Sequence, residues 1–391
     1  MKLLFCHDGP MSIDKHGNAY PQNLTEDVLN RYYSICEKFT MLVRTRVIDP
    51  KDTKQPKIKK EQLKVVSFPN LSSVKGYLVN RKNALKIVEK EVECSDFIIA
   101  RLPSHSGNLA IDIARKLKKP YLVELVACPW DAYWNHSLKG KIMAPIMYNE
   151  TKKRVKNAQY VLYVTNEFLQ RRYPTDGVNI GCSDVSLPSL EENILEKRLS
   201  KIKKLNKDKP IVLGTTAAVN VKYKGQQYVI EAISQLNKQG YNFEYHLVGG
   251  GDNSYLRALS IKFGVSDKVK FYGSLPHQRV FDYLDEIDIY VQPSKQEGLP
   301  RALVEAMSRG CPAIGSSTGG IPELLNQEFI FNSGSVQGLC DLLKKLDKSK
   351  LEKEAVRSFE KAKEYDISSL NKIRLDFYKR FVTSFEGINK E

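Results

Sequence analysis

Short apolar segments alternate with helical segments along almost the whole chain, and this alternation restricts the fold more than any other feature. In the first half, strands are predicted at Lys2–Cys6, Phe39–Val43, Leu63–Phe68, Phe97–Ala100, Tyr121–Val126 and Tyr160–Val164. Helical patterns such as Leu109–Leu117 lie between several of them. This β–α–β order predicts a parallel sheet that is covered by helices.

The same alternation begins again after Pro210. Strands are predicted at Ile211–Thr215, Glu244–Val248, Val269–Tyr272, Ile287–Val291, Pro312–Gly315 and Phe329–Phe331. The charged stretch Glu191–Lys209 separates the two series and is predicted to be a linker. Since 391 residues exceed what one hydrophobic core usually serves, we expect two doubly wound α/β domains, at residues 1–200 and 208–366. A helix over residues 367–391 is expected to pack back across the domain junction.

Composition places the chain among ordinary globular proteins, with 42% hydrophobic and 27% charged residues. No apolar run reaches the length of a bilayer span, and the apolar start of the chain turns polar at His7 and Asp8, too soon for a signal peptide. The seven cysteines are too widely spaced for a metal or redox motif and are interpreted as buried, reduced thiols. We therefore expect a cytoplasmic protein.

The net charge of +16 is concentrated in the first half, where residues 1–200 carry 32 Lys and Arg against 22 Asp and Glu. Such a field attracts anionic phosphates, although solvated lysine-rich loops are the simpler interpretation of the charge alone. No nucleic-acid-binding module accompanies it. Segment Ser137–Lys156 combines Ile142, Met143 and Ile146 with several lysines. This helix either rests peripherally on the anionic inner face of the cell membrane or faces the core with a solvated basic side.

The carboxyl ends of parallel strands are where a ligand is expected, because helix amino termini point there with unpaired N–H groups. The segment Gln292–Met307 follows a predicted strand, turns at Gly298 and enters a helix, with Pro300 near the first turn. Backbone N–H groups of residues 299–301 would face a diphosphate. This arrangement predicts a nucleotide-type ligand between the two domains.

Two carboxylates flank this helix start, Glu297 in the loop and Glu305 two turns into the helix. A carboxylate accepts strong hydrogen bonds from a vicinal diol, so the pair suits a diphosphate that carries a sugar at each end. That ligand is a nucleotide sugar. An acidic residue that stabilises a helix start, together with a surface glutamate, is the alternative interpretation.

The motif Pro-Ser-x-x-Glu-Gly at residues 293–298 is followed by Glu-Ala-Met at 305–307, Gly-Cys-Pro at 310–312 and Gly-Gly-Ile-Pro-Glu at 319–323. In these residues the chain resembles the retaining GT-B glycosyltransferases of the "glycosyl transferases group 1" family. The resemblance implies that Glu297 contacts donor-sugar hydroxyls and that Glu305 holds the nucleotide ribose. Gly298, Leu299, Pro300 and Arg301 stand where many members have Gly-Phe-Gly-Leu, and Pro300 removes one phosphate-facing N–H.

Three further segments fit the same resemblance. Lys224 precedes Gly225 as in the family's Lys-Gly motif, and Lys222 replaces the upstream arginine that the family places on the phosphates. Further donor-side positions are implied at Gly249 and Gly250, in the turn after a strand, and at Leu275, in the loop that meets the base.

The first domain matches the family more loosely. The family often has a histidine after the strand equivalent to Tyr121–Val126, and this chain lacks it. Glu124 and Asp131 are therefore candidates for sugar or acceptor contact, although each could equally be a capping or ion-paired residue. The acceptor-side candidates are Tyr20, Arg101 and Trp130.

The resemblance implies retaining transfer of a hexose or N-acetylhexosamine from a nucleotide diphosphate sugar, with UDP expected and GDP the alternative. The acceptor would be a glycan or lipid-linked glycan in capsular or cell-envelope polysaccharide assembly. No cofactor is expected and no metal, because the sequence has no Asp-x-Asp motif of the metal-dependent glycosyltransferases. A nucleotide-sugar epimerase, a sugar phosphorylase and an inactive partner subunit are the alternatives.

Overall fold

The structure is a computed structural model that describes residues 1–20, 26–53, 56–58, 62–185, 187–206 and 208–386. The chain divides into two compact units. The first unit comprises Met1–Trp130, Ile142–Cys182 and Asn371–Glu391, and the second comprises Asp131–Lys141 and Ser183–Leu370.

The first unit is built on one sheet. Its described strands are β1 (Lys2–Ile13), β2 (Ala19–Tyr20), β3 (Lys38–Val47), β4 (Leu63–Ser67), β5 (Phe97–Leu102), β6 (Tyr121–Leu125), β7 (Tyr160–Tyr163) and β8 (Val178–Gly181). Their order is β4-β3-β1-β5-β6-β7-β8, all parallel, and β2 pairs antiparallel with the end of β1. The central strands are buried on both faces, which explains why they are continuous apolar runs.

All six strands predicted for the first half are confirmed. β2 and β8 were not predicted, and β1 continues seven residues past its expected end at Cys6. The pairing of β1 with β5 ends at Cys6. The pairing of β1 with β3 shifts register between Cys6 and Pro10 and then continues to the end of β1. Such an irregularity bends a strand and changes the direction of its side chains.

Helices connect these strands. They are α1 (Glu26–Tyr33), α2 (Val74–Glu93), α3 (His105–Lys116), α4 (Pro129–Trp134), α5 (Leu138–Lys156) and α6 (Phe168–Arg172). The start of α3 is capped twice. Ser104 Oγ accepts a hydrogen bond from Gly107 N at 3.0 Å, and the Asp8 carboxylate accepts from the backbone N–H groups of His105 and Ser106. This ties the middle of β1 to the helix that follows β5.

The second unit repeats the architecture. Its described strands are β9 (Ile211–Thr216), β10 (Phe243–Val248), β11 (Val269–Gly273), β12 (Ile289–Gln292), β13 (Ala313–Ser316) and β14 (Ile330–Phe331), in the parallel order β11-β10-β9-β12-β13-β14. Its helices are α7 (Glu192–Lys203), α8 (Gln226–Asn237), α9 (Ser254–Lys262), α10 (His277–Glu286), α11 (Arg301–Ser308), α12 (Val336–Lys344) and α13 (Lys348–Lys363). The six strands predicted for this half are confirmed.

The predicted linker at Glu191–Lys209 is wrong, because most of it forms α7, which belongs to the second unit. Arg198 is buried there and donates to the carbonyl oxygens of Ile287 at 2.7 Å and Leu284 at 2.6 Å. These bonds fix α7 to the end of α10. The second unit therefore begins before residue 200, and residues 131–141 also group with it.

The C-terminal helix α14 (Ile367–Glu386) groups with the first unit from Asn371 onward. Its aromatic side chains pack on that unit, with Phe381 at 5.9 Å from Phe97 and Phe377 at 5.8 Å from Tyr160 between ring centroids. Residues 387–391 of the predicted C-terminal segment lie outside the described residues.

In the described ranges no helix combines the length and apolar character that crossing a membrane requires. The seven cysteines are free thiols, as predicted, but Cys94 is exposed and Cys36 is half-buried rather than buried.

Candidate functional site

The loops that follow β9 and β12 in the second unit are fastened to each other. Gly225 adopts φ 81°, and a Cβ there would lie 2.0 Å from the carbonyl oxygen of Pro293. Two residues along each loop, Lys295 N donates to the Tyr223 carbonyl oxygen at 2.7 Å. Only glycine permits this approach, which explains the Lys-Gly pair in the sequence.

This contact brings two predicted site residues together. Lys224 Nζ lies 2.7 Å from Glu297 Oε1, and both side chains are mostly buried. Gln292, the last residue of β12, donates from Nε2 to the same carboxylate oxygen at 3.0 Å. An ammonium and a carboxylate thus stand side by side at the carboxyl end of the central strands, where α/β sheets bind ligands.

The glycine pair after β13 supports the same loop. A Cβ on Gly319 would lie 2.3 Å from the Glu297 carbonyl oxygen, and Gly320 N donates to the Gly298 carbonyl oxygen at 2.8 Å. Ser316 Oγ donates to the Ser294 carbonyl oxygen at 2.5 Å. The Gly-Gly motif therefore braces the loop that carries Glu297.

Glu305 lies within α11 and is buried, with 7% of its surface exposed. Its Oε1 is 3.1 Å from Nε2 of His277, the first residue of α10, whose side chain is largely exposed. This partner of Glu305 was not predicted. The two residues are 28 positions apart, and no local pattern links them.

The start of α11 offers free backbone N–H groups to an anion. Pro300 occupies the cap position before α11 and no side chain caps the helix, so the first free backbone donors begin at Arg301. Arg301 is exposed, Leu299 and Gly298 are half-buried, and Pro300 is buried. The unpaired N–H groups and the helix dipole favour an anion at this point.

Lys222 and Lys224 have different contacts. Its Nζ is 4.5 Å from the centroid of the Tyr255 ring in α9, and its side chain is exposed. The two predicted phosphate-binding lysines therefore differ, because Lys224 already shares its charge with Glu297, whereas Lys222 rests on an aromatic face.

The glycine turn after β10 packs against the loop after β9. A Cβ on Gly249 would lie 1.9 Å from the Ala217 carbonyl oxygen, and Val219 N donates to the Gly250 carbonyl oxygen at 3.0 Å. Leu275 is half-buried in the loop between β11 and α10. All the predicted donor-side residues thus follow the carboxyl ends of β9 to β12 or lie on α11.

In the first unit, Glu124 does not have the surroundings of a substrate contact. It is 1% exposed and accepts hydrogen bonds from Tyr32 at 3.0 Å, from Arg101 Nη1 at 2.7 Å and from Tyr378 of α14. The structure favours the ion-paired interpretation of Glu124 over sugar contact, because the carboxylate is enclosed and ties β6, β5, α1 and α14 together. Arg101 is part of the same cluster and mostly buried.

The other first-half candidates also have structural partners. Tyr20 is buried and donates to Asp14 Oδ2 at 3.1 Å, and Trp130 packs edge-on against Tyr148 at 5.9 Å between centroids. That Tyr20 and Trp130 lie on the acceptor side stays a prediction. Asp131 is half-buried in the first turn of α4 and groups with the second unit.

Comparisons with known proteins agree with these motifs. Residues 196–365 match the sequence model of the family described as "Glycosyl transferases group 1". Protein CapJ of Staphylococcus aureus is 31% identical over 408 aligned residues, which cover 100% of both chains. The amylovoran biosynthesis glycosyltransferase AmsK of Erwinia amylovora is 37% identical over 133 residues, which cover 32% of this chain and 33% of AmsK.

A solved structure extends the likeness to both units. HepE of Anabaena, in complex with UDP-glucose, aligns with a TM-score of 0.64 and 18% identity over 97% of this chain and 100% of HepE. At this identity the likeness shows the fold alone. It confirms the predicted GT-B fold of two Rossmann-like α/β domains with parallel sheets.

Proposed function

Because this chain belongs to the glycosyl transferases group 1 family, we propose that it is a retaining glycosyltransferase that uses a nucleotide diphosphate sugar. It moves a hexose or an N-acetylhexosamine, carried on UDP, to a glycan or lipid-linked glycan in capsular or cell-envelope polysaccharide assembly. The relatedness to AmsK, which is named for amylovoran biosynthesis, supports the pathway class, and the UDP-glucose complex of HepE supports UDP.

The observation that carries the proposal is the Lys224–Glu297 contact of 2.7 Å, held by two glycine-dependent loop contacts at the mouth of α11. In this proposal, Glu297 accepts hydrogen bonds from donor-sugar hydroxyls and Glu305 accepts them from the ribose. The diphosphate lies between these carboxylates, at the start of α11.

Positive charge near the leaving diphosphate supports the chemical step. Lys224, Lys222 and the amino terminus of α11 stabilise negative charge as the glycosidic bond to the phosphate oxygen breaks. The acceptor hydroxyl attacks the anomeric carbon from the same face, and the leaving phosphate oxygen takes its proton. We propose that these residues supply the charge without a metal ion and that no cofactor takes part.

A nucleotide-sugar epimerase or a sugar phosphorylase is not favoured. An epimerase needs no acceptor and a phosphorylase needs inorganic phosphate, whereas AmsK is named as a glycosyltransferase of polysaccharide synthesis. We propose that the chain acts in the cytoplasm on the inner face of the cell membrane.

Exposure of α5 supports the membrane part of the proposal. Ile142 and Ile146 are 73% and 51% exposed, so this helix turns apolar side chains outward rather than to the core. Lys153 is exposed and follows on the same helical face, seven residues after Ile146. Arg154 of the same helix is occupied by ion pairs with Asp112 and Glu150.

Vesicle flotation tests the membrane part. The parent should float with vesicles that contain phosphatidylglycerol and less with neutral phosphatidylcholine vesicles, because apolar and cationic contacts add. Ile142→Ser with Ile146→Ser should reduce flotation, while Ile261→Ser, at an equally exposed isoleucine of α9, should not. Equal flotation of all three proteins would contradict the role of α5.

Thermal unfolding with a panel of UDP- and GDP-sugars tests the reaction proposal, since a ligand that binds the folded state raises the unfolding temperature. We expect a UDP-sugar to protect the parent more than UDP does. Glu297→Ala should remove that difference and leave the effect of UDP. If no nucleotide sugar protects the parent better than its nucleotide, the proposed donor class is wrong.

A further inference from the structure

The buried side-chain amide of Gln292 donates two hydrogen bonds and accepts one. The residue is 2% exposed at the end of β12. Its Nε2 donates to Ser294 Oγ at 2.9 Å and to Glu297 Oε1 at 3.0 Å, and its Oε1 accepts from the Tyr290 hydroxyl at 3.0 Å. An ionised carboxylate can only accept, so the amide must turn its NH₂ toward Glu297.

Tyr290 anchors that amide to the sheet. The residue is fully buried in β12, and its hydroxyl accepts a hydrogen bond from Thr216 N at 3.4 Å at the end of β9. Burial raises the pKa of Tyr290 well above its usual range, so the phenol keeps the proton it donates to Gln292. A chain of hydrogen bonds therefore runs from the backbone of β9 through Tyr290 and Gln292 to the carboxylate of Glu297.

The two oxygens of Glu297 are used unequally. Oε1 receives both Lys224 Nζ and Gln292 Nε2, whereas Oε2 makes no hydrogen bond or ion pair with the part of the chain that the structure describes. Lys224 is a flexible point charge that attracts the carboxylate without fixing its plane. Gln292 is a short, buried, planar group held at both ends, so it can set the direction of the carboxylate.

We propose that Gln292, fixed by Tyr290, is a positioning residue that turns Oε2 of Glu297 toward the hydroxyl groups of the donor sugar. The proposal rests on the proposed function and adds to it a residue outside the sugar contacts themselves. It makes sugar recognition depend on a buried amide, while recognition of the nucleotide, through Glu305 and the start of α11, is independent of it.

Two variants break the hydrogen-bond chain from Tyr290 through Gln292 to Glu297 at different bonds. Gln292→Met keeps the volume and removes both donated bonds, and Tyr290→Phe removes only the hydroxyl that orients the amide. Gln337→Met is the matched control, because the Gln337 amide also donates to a carboxylate, Asp341 Oδ1 at 2.8 Å, but on the exposed surface of α12. Thermal protection by UDP and by the best UDP-sugar of the panel is measured for each, together with donor KM and kcat.

We expect UDP to protect Gln292→Met and Tyr290→Phe as it protects the parent. The additional protection by the UDP-sugar should fall, and kcat/KM should drop about 10- to 100-fold for Gln292→Met and less for Tyr290→Phe, with no change in Gln337→Met. A merely structural role would lower protection by UDP and by UDP-sugar together.

Two results would overturn the proposal. If Gln292→Met and Tyr290→Phe keep the parental difference between UDP-sugar and UDP while Glu297→Ala loses it, the donor site stands and the positioning role is wrong. If the parent itself shows no such difference, the proposed function fails and the positioning role fails with it. If Gln292→Met does not fold, Tyr290→Phe still tests the positioning role, because it deletes only one oxygen atom.

Discussion

His277 Nε2 lies 3.1 Å from Glu305 Oε1, which joins the first residue of α10 to the middle of α11. If Glu305 holds the ribose, Glu305→Ala loses two charge-assisted hydrogen bonds. Since each is worth about 1.5–3 kcal/mol, the dissociation constant of UDP should rise about a hundredfold or more. His277→Ala should raise it only a few-fold, because the imidazole orients the carboxylate and is itself exposed.

Calorimetric titration with UDP and 2′-deoxy-UDP separates the ribose contact from general damage. The parent should bind UDP more tightly than the deoxy form, and Glu305→Ala should bind both equally. Arg279→Ala is the control and should behave as the parent. It breaks the exposed Arg279–Asp282 pair on α10, the helix that begins at His277. A preserved preference for UDP in Glu305→Ala would remove Glu305 from the ribose.

Lys224 and Lys222 should differ in their effect on turnover. Lys224→Met removes the ammonium beside Glu297, and loss of one group that stabilises a leaving group costs about 10²–10³ in kcat. Lys222→Met should cost less than about tenfold, because Lys222 is exposed over Tyr255. Steady-state kinetics on the donor decide this. Lys262→Met is the control, since Lys262 is another exposed lysine near an aromatic ring, Phe263. Equal losses for Lys222 and Lys224 would contradict the assignment.

Glu124 should act on stability rather than on the reaction. Glu124→Ala leaves Arg101 buried without its carboxylate, which costs about 3–5 kcal/mol in the free energy of unfolding. Tyr378→Phe should cost about 1–3 kcal/mol, because it removes one bond to the same carboxylate. Urea unfolding followed by tryptophan fluorescence measures both.

The control for Glu124 is Glu89→Ala, since Glu89 makes only a loose, exposed pair with Lys116 at 3.8 Å. That change should cost less than about 1 kcal/mol. If Glu124→Ala unfolds like the parent but loses activity, the original prediction of a substrate contact is correct after all.

Local sequence pattern predicted the elements well and the contacts between distant residues poorly. Each core strand is an apolar run between turn residues, and the Lys-Gly and Gly-Gly motifs marked the loops that the structure fastens together. The helix α7 was missed although Leu195, Leu199 and Ile202 follow a helical spacing, because its many charges suggested a linker. The bond between Glu124 and Tyr378 spans 254 positions, and only the folded chain reveals it.

His7 should make the first unit less stable in mild acid. The histidine lies in β1 where the pairing with β3 shifts register, with Gly9 against its ring and Nδ1 buried without a hydrogen-bond partner within the described ranges. Burial of the imidazole, and then the positive charge of Arg101, lowers the pKa of His7 from 6.5 to about 4. Between these two values the unfolded chain binds more protons than the folded one, so the free energy of unfolding falls as the pH is lowered from 6.5 to 4.

The size of this effect follows from the pKa difference, since one pKa unit corresponds to about 1.4 kcal/mol and the full window to about 3 kcal/mol. Urea unfolding of the parent and of His7→Asn at a series of pH values measures it. Both are made in a Trp134→Phe background, because Trp134 groups with the second unit, so that the fluorescence of Trp130 reports on the first unit. His7→Asn should flatten the slope between pH 5 and 6.5, where most carboxylates are already ionised. His16→Asn, at an exposed histidine, should keep the parental slope. A parental slope in His7→Asn would show that His7 is not held neutral by the fold.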